Sequence, residues 1–554
     1  VLGYGAGQRK QDLSASVGVL NNTEDLVARP VTSTESMLQG QLAGVTVQAN
    51  GGDPTATPSI VIRGQGSQNG DNVLWVVDGV PGAPIASMND IETIVVLKDA
   101  ASAAIYGAQS GAGGVILVTT KKAKEGKTSL SYDATFGVRK ASNVIEPLNA
   151  EEQLERRKLS YANAGLTLPT GWDLTKNPWV GTTRTNWMDE ILQDALTQEY
   201  NLSVSGGNEK SNYAFSGNYT DQSGIIKNSG YERFAVRANI GSHVKPWLNT
   251  GLNINFTRSL TKFAKSNSYD YSIIRSAMLY LPTLYVGDKT EDDSYAWLSA
   301  NPRTYVNTAK DELKSINVFT SAFAEIKILD CLKFRQNLGI SYSVNDRASY
   351  YNRETGEGKA SNGRAGKSDN FWQNLTAESL VTFDKTFNKL HHLNVVAGFT
   401  YEKSDWGGKT MNASNFPTDI TQDFDMSQAL NIETPASYRG QAVLVSLLGR
   451  ANYTLKDRYI FTASFRRDGS SRFAPGNKFA NFASGAVAWT ISEEEFIKNL
   501  NIFSNLKLRF SYGQTGNQAI SSYQTIASLA PSNYPLDGTL SSGFAGNSLI
   551  STIR

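Results

Sequence analysis

Ile91 to Lys122, IETIVVLKDAASAAIYGAQSGAGGVILVTTKK, reads as strand, helix, glycine-rich turn and strand. Ile94, Val95, Val96 and Leu97 form a short apolar run rich in β-branched residues, which predicts a buried strand. Asp99 is placed to cap a helix over Ala100 to Tyr106, which is rich in alanine, the best helix former. Gly107 predicts its stop. Gly111, Gly113 and Gly114 permit a tight reversal before a second strand from Val115 to Thr120. A unit this rich in Ala and Gly packs closely against something that surrounds it. The expectation is a plug seated inside a membrane barrel.

The residues before it read as the rest of the same small domain. Thr34 to Gly44 has Met37, Leu38 and Leu42 at helical spacing, with Gly44 as the stop. Val45 to Val47, Ser59 to Arg63 and Val73 to Val77 read as short strands, the last closed by the turn dipeptide Asp78-Gly79. Residues 1–124 are therefore expected to form a mixed α/β plug domain. The G-x-G-x-G string within Val1 to Gly7 lacks the flanking strand and helix that a phosphate-binding turn needs, so it reads as an extended arm.

A net charge of +2 over 554 residues argues against nucleic acid as a partner, and one cysteine, Cys331, excludes an internal disulfide. No run of about 18 apolar residues occurs, so no membrane-spanning helix is predicted. Aromatic residues nevertheless make up 10% of the chain. Many aromatics without apolar runs suit a barrel whose strands alternate between lipid and water.

That alternation begins at Lys127 and persists. Leu248, Leu252, Ile254 and Phe256 alternate with Asn249, Asn253, Asn255 and Thr257; Leu506, Leu508, Phe510 and Tyr512 alternate with Lys507, Arg509, Ser511 and Gly513. About thirteen strands are predicted between residues 128 and 515. Their connections alternate long and short, as in an up-and-down membrane barrel and unlike a sandwich. Residues 125–554 are thus expected to be a large antiparallel transmembrane β-barrel, incomplete at its C-terminal side. Plugged transporters have about 22 strands, so the chain is expected to be a piece of a longer protein with further strands after Arg554.

One long loop holds a surface helix, Ala150 to Ala164, and then Trp172, Trp179 and Trp187. These three are candidate ligand or partner contacts, against the alternative of a self-packed loop. The only histidines are His243, His391 and His392, and no zinc motif surrounds the adjacent pair. No catalytic residue, metal or cofactor is predicted, and the chain is not expected to be an enzyme.

Several long motifs in order resemble the SusC/RagA type of TonB-dependent outer-membrane transporter. They are LQGQLAGVTVQANGG from Leu38, SIVIRGQGS from Ser59, VLWVVDGVPG from Val73 and the Ile91 to Lys122 stretch. In the barrel they are LLGRANYTLKDRYIFTASFRRDGSSRFAPGNK from Leu447, WTISEEEF and LKLRFSYGQTGNQ. One departure is AQSGAGGV at Ala108 to Val115, where the family often has a basic residue and an asparagine. The resemblance implies active import of oligosaccharides or oligopeptides across the outer membrane of a Gram-negative, Bacteroidetes-like cell. The implied partners are a SusD-like surface lipoprotein lid, TonB with its inner-membrane energising complex, and outer-membrane lipid. Arg63, Gly64, Asp78, Gly79, Lys98, Asp99, Tyr106 and Gly107 are the implied plug motif. Val1, Leu2, Gly3 and Tyr4 resemble a segment at or just after the TonB-binding sequence. Arg63, Lys98 and Asp99 are expected to meet lumen charges such as Arg237, Glu325, Arg335 or Arg450, against the alternative of solvated charges. The competing functional reading is a non-energised outer-membrane channel or a surface binding protein.

Overall fold

The computed structural model describes residues 17–21, 33–48, 58–64, 73–85, 87–109, 113–121, 126–265, 272–284, 301–500, 502–518, 520–527, 529–536 and 538–546. The first unit contains β1 (Val17–Leu20), β2 (Val45–Gln48), β3 (Ser59–Ile62), β4 (Leu74–Val77), β5 (Val80–Pro81), β6 (Ile91–Leu97) and β7 (Val115–Thr120). Five of them make one sheet in the order β1-β6-β7-β4-β5, and β2 pairs with β3. The apolar run in β6 does not alternate because both faces of this sheet are covered. Ile94 and Val96 pack with Val77, Ile116, Met37 and Leu38 on one side. Val95 and Leu97 pack with Val76, Leu117 and Tyr106 on the other. Ile94, Val96 and Leu97 are fully buried, each contributing roughly 1.5–3 kcal/mol of transfer free energy.

Two predicted helices are shorter than their patterns. The segment from Thr34 is α-helical only over Thr34–Met37. The segment after Asp99 is α-helical over Ala100–Ala103 and 3₁₀ over Ala104–Gln109, with a kink at Gly107. The reason in each case is docking: Met37 and Leu38, and Ile105 and Tyr106, are pulled into the core individually. Part of the predicted glycine turn, residues 110–112, lies outside the described residues.

The second unit is an antiparallel wall. Its strands are β8 (Gly126–Arg139), β9 (Ala195–Gly207), β10 (Ser211–Ser223), β11 (Gly230–Lys245), β12 (Leu248–Lys262), β13 (Lys310–Leu329) and β14 (Leu332–Tyr351). They continue as β15 (Arg364–Phe387), β16 (His391–Ser414), β17 (Asn431–Ile432), β18 (Ala436–Leu455), β19 (Tyr459–Ser470), β20 (Phe479–Thr490) and β21 (Lys507–Gly513). They form a 14-stranded sheet in which one unbroken path of thirteen runs from β8 to β21, with β17 pairing β16 beside it. Every strand on the path pairs with its neighbour in sequence, which excludes a sandwich. A separate hairpin, β22 (Leu529–Leu536) with β23 (Thr539–Gly546), was not anticipated.

Connections alternate as expected. One end of the wall has the tight turns 208–210, 246–247, 330–331, 388–390 and 456–458; the other has the loops 140–194, 263–309 and 415–435. Asn388 with Lys389, and Lys456 with Asp457, have positive φ, the backbone of a two-residue hairpin turn whose twist matches the strands. Face alternation is equally regular. On β18, Ser446, Leu448, Arg450, Asn452 and Thr454 are buried inward, while Leu447 is exposed outward. On β12, Asn253, Asn255 and Thr257 face in, and Leu252 and Ile254 face out. The inner face is polar and the outer face apolar, as a lipid-embedded wall requires.

Candidate functional site

The first unit sits against the inner face of the wall. Phe319 of β13 joins one of its apolar clusters, and Leu380 of β15 and Leu448 of β18 join the other. Around these contacts runs a seam of polar bonds.

The most buried part of the seam is on β19. Arg466 and Asp468, two residues apart, both point inward and pair at 2.5 Å, 1% and 2% exposed. Arg466 also donates to Ser446 Oγ at 2.9 Å and to the Ile105 carbonyl at 2.7 Å. Asp468 accepts the Ala108 N–H at 2.7 Å. The helical turn Ala104–Gln109 therefore presents one acceptor and one donor from its main chain to a wall ion pair. Gly107 lies between them with φ of +52. A Cβ there would overlap the Asp468 carboxylate and lie 2.7 Å from Arg466 Cδ. Beyond it, Gln109 donates to Glu402 of β16.

A second fastening lies on β10 and β11. Asp90, at the start of β6, accepts from Ser216 Oγ at 2.7 Å and lies 3.7 Å from Arg237. Arg237 also donates to Thr120 Oγ1 at 2.5 Å and to the Lys121 carbonyl at 3.0 Å. Burial pushes the Asp90 carboxyl above the ordinary range, and the Arg237 guanidinium opposes that shift without cancelling it. Asn89 reaches Glu199 of β9 at 3.1 Å. Toward β13 and β15 the plug makes apolar contact, through Phe319 and Leu380.

The plug-motif residues divide into distinct roles. Asp78 is a hub: its carboxylate accepts Thr120 N–H at 2.9 Å, Thr120 Oγ1 at 2.5 Å and the Asn253 amide of β12 at 3.0 Å. Asp78 and Gly79 both have positive φ and turn β4 into β5. Asp99 caps its helix through Ser102 N–H at 2.9 Å and meets Ser511 of β21 at 3.4 Å. Tyr106 is buried. Arg63 and Gly64 have positive φ after β3, and Arg63 N–H donates to Gly44 at 2.9 Å.

Of the expected pairings of Arg63, Lys98 and Asp99 with lumen charges, Asp99 does lie within electrostatic reach of Arg450 on β18, whereas Lys98 finds a different partner. Lys98 ties to the Ala43 carbonyl at 2.7 Å, within the plug. Burial first, and Arg63 second, hold its ammonium below the usual lysine range. Arg237 does grip the plug, but through Asp90, Thr120 and Lys121. Glu325 pairs with Lys333 and Arg335 inside the wall. Arg450 is buried on β18.

Two of the loop tryptophans are also corrected. Trp172 is buried under Arg157, whose guanidinium stacks on it at 5.5 Å. Trp187 is 1% exposed, donates to the Leu281 carbonyl at 2.9 Å and anchors a loop core with Ile191, Ile226, Ile273, Tyr305 and Val306. Neither offers a face to a ligand. The Trp179 side chain and Val1, Leu2, Gly3 and Tyr4 lie outside the described residues. His243, His391 and His392 each make a pairwise bond, to Asn249, Tyr453 and Asp384 respectively.

Arg466, Asp468, Asp90 and Asn253 were not singled out by the sequence. Arg466 and Asp468 had a readable signal: an R-x-D on the inward parity of an alternating strand, inside the SFRRDGSS motif. Asp90 had none.

Comparison with known proteins agrees with this architecture. Residues 9–115 match the TonB-dependent Receptor Plug Domain. TonB-dependent receptor P3 of Formosa agariphila is 33% identical over 99% of this chain and 54% of its own length. TonB-dependent receptor SusC of Bacteroides thetaiotaomicron is 29% identical over 94% of this chain and 53% of its own length. The chain spans about half the length of the curated relatives it matches. The solved RagAB peptide transporter superposes with a TM-score of 0.84 at 23% identity, covering 97% of this chain and 64% of that one.

Proposed function

We propose, from the premise that this chain is a SusC/RagA-type TonB-dependent receptor, that it imports a solute actively across the outer membrane through a gated barrel. Residues 1–124 act as the plug and 125–554 as wall. The end with tight turns faces the periplasm and the looped end faces outside. TonB, with its inner-membrane energising complex, pulls the arm that includes Val1 to Tyr4, and a SusD-like lipoprotein covers the loops. The imported solute is an oligosaccharide or an oligopeptide.

One observation carries the reading: a folded plug is fastened into the lumen by the buried Arg466–Asp468 pair. Parting that pair from Ile105 and Ala108 breaks two charge-assisted hydrogen bonds, each worth roughly 1.5–3 kcal/mol. Spontaneous opening is then rare, on the order of one molecule in a thousand. A non-energised channel would not carry such an obstruction. Gating needs work from outside the barrel, which TonB supplies in this reading.

The test is uptake of labelled oligosaccharide and oligopeptide pools by cells expressing the full-length protein, with and without TonB. Uptake that disappears without TonB supports import. Uptake unaffected by TonB deletion sinks it in favour of a passive channel.

A further inference from the structure

Above the plug the inner wall changes character. Glu402 is the β16 residue that meets the plug, through Gln109. The next inward positions are Ser404, Trp406 and Gly408, because side chains alternate faces. Trp406 therefore stands four residues, roughly 13 Å, above the plug contact. Two rows of paired residues cross the wall at this height. In the first, Trp372 pairs with Trp406, and Trp406 with Gly440; in the second, Asn370 pairs with Gly408, and Gly408 with Tyr438. On β14 and β13 the rows continue with Ser343 and Asn317, then Asn345 and Ser315. Neither row contains a charged residue.

The two glycines lay the rings against the wall. A Cβ on Gly440 would lie 2.5 Å from Trp406 Cζ2, and one on Gly408 would lie 2.9 Å from Tyr438 Cε1. The Tyr438 hydroxyl donates to Asn370 Oδ1 at 3.0 Å, which fixes the ring's tilt. Tyr438 is 55% exposed, and Trp372 and Trp406 are half-buried. One ring face rests on backbone while the other is left for the lumen. Just beneath, Ser404 Oγ donates to Asn374 at 3.1 Å and Asn374 donates to Glu402 at 3.4 Å. A short hydrogen-bonded chain thus links the row under the rings to the plug.

We propose that Trp372, Trp406 and Tyr438 form a stacking platform for a neutral oligosaccharide, a site that rests on the import reading and names its solute. The C–H face of a sugar ring is apolar and flat, and matches an aromatic face; its hydroxyl edge matches amides and hydroxyls such as Asn317, Asn345 and Asn370. An anionic sugar or the charged termini of a peptide would find no counter-charge in either row, and the inward cation next above on β14, Arg347, is already held by Asp311 at 2.8 Å. The uncharged rows favour a neutral glycan over a peptide with free termini.

The experiment uses the full-length protein extracted with its partners from the outer membrane. It is applied to an array of neutral and anionic oligosaccharides together with a random hexapeptide pool. Wild type is expected to retain neutral oligosaccharides. Trp372→Ala and Trp406→Ala should weaken retention at least tenfold, and Trp406→Phe less than threefold. Gly440→Val, which displaces the indole while leaving it in place chemically, should also weaken it tenfold. Retention of peptides or anionic glycans alone, no retention, or affinities indifferent to these substitutions in protein recovered at wild-type yield would each overturn the proposal. Uptake with and without TonB, run in parallel, separates the two readings. Ring-independent but TonB-dependent uptake sinks only the platform; ring-dependent binding with TonB-independent uptake sinks only active import.

Discussion

Asp468 of the wall accepts the main-chain N–H of Ala108 of the plug at 2.7 Å, from a side chain that is itself held at 2.5 Å by Arg466. The bond is to backbone, so changing the Ala108 side chain does not remove it directly. The direct route is from the wall. Arg466→Ala should strand a buried carboxylate and cost roughly 3–5 kcal/mol. The expected outcome is a lower unfolding temperature and new sensitivity to vancomycin-sized antibiotics. Unchanged sensitivity at wild-type abundance would show that the pair does not seat the plug.

Gly107→Ala should do similar damage from the other side. The alanine would be held at a positive φ and its methyl would overlap the Asp468 carboxylate. The expected readout is faster hydrogen exchange at Ala108 and the same antibiotic leak. Exchange as slow as in wild type would mean that the helical turn can shift without losing its bond.

Asp78→Asn replaces a pure acceptor with a group that also donates, facing three donors. A loss of about 1–3 kcal/mol is expected. Asn253→Ala alone should cost less, because Thr120 still holds Asp78. A double-mutant cycle should give a coupling energy above zero for this pair. Strict additivity would count against a direct plug–wall bond at Asp78.

Asp90 makes plug seating pH-dependent. Its folded pKa lies above the ordinary carboxylate value, with burial the first cause. The folded state therefore binds more protons than the unfolded state in the interval between about 4, the unfolded value, and the raised value. Stability falls as pH rises through that window and is flat beyond it. Asp90→Asn should abolish this part of the pH dependence in thermal melts. A slope of the same size in the variant would assign it to another group.

Trp187→Ala should open the loop core and cost roughly 3–5 kcal/mol of local stability. Limited proteolysis of the 140–194 and 263–309 loops should accelerate. Trp172→Ala should leave array retention within threefold of wild type, since its ring is covered by Arg157. A tenfold loss of retention there would restore Trp172 as a contact.

The wall was legible because its physics is repetitive. Alternation in Leu252, Asn253 and Ile254 records lipid on one side and water or plug on the other, and the strand path follows it. The length of the longest strands was less legible. β15 and β16 extend to Arg364 and Ser414, beyond the alternating apolar core, because above the bilayer both faces are polar and the pattern fades. The plug was legible as elements but not as contacts. Lys98 and Asp99 are adjacent charged residues in a motif, yet one ties down its own domain while the other caps a helix and also reaches Ser511 of the wall. Which partner a charge finds depends on the packing of two units, and one chain's pattern carries no record of that. Trp372, Trp406 and Tyr438 were hidden for a related reason: their meaning lies in the glycines opposite them on other strands.

β1 is four residues long and, among the described residues, has a partner strand on one side only, Val17 to Leu20 against Leu97 to Ile94. Lys98 lies across it as a strap. A Cβ on Gly18 would come within 2.9 Å of the Lys98 stem, and the ammonium beyond is moored to Ala43. Tension arriving from before Val17 therefore loads this edge strand ahead of the bonds at Ile105 and Ala108, which lie further along the chain. On the proposed import reading, a pull on the arm would reach the strapped edge before the wall lock. β1 would then act as a mechanical fuse, its yield set by Lys98 and the β1–β6 pairing, apart from how tightly any solute is held.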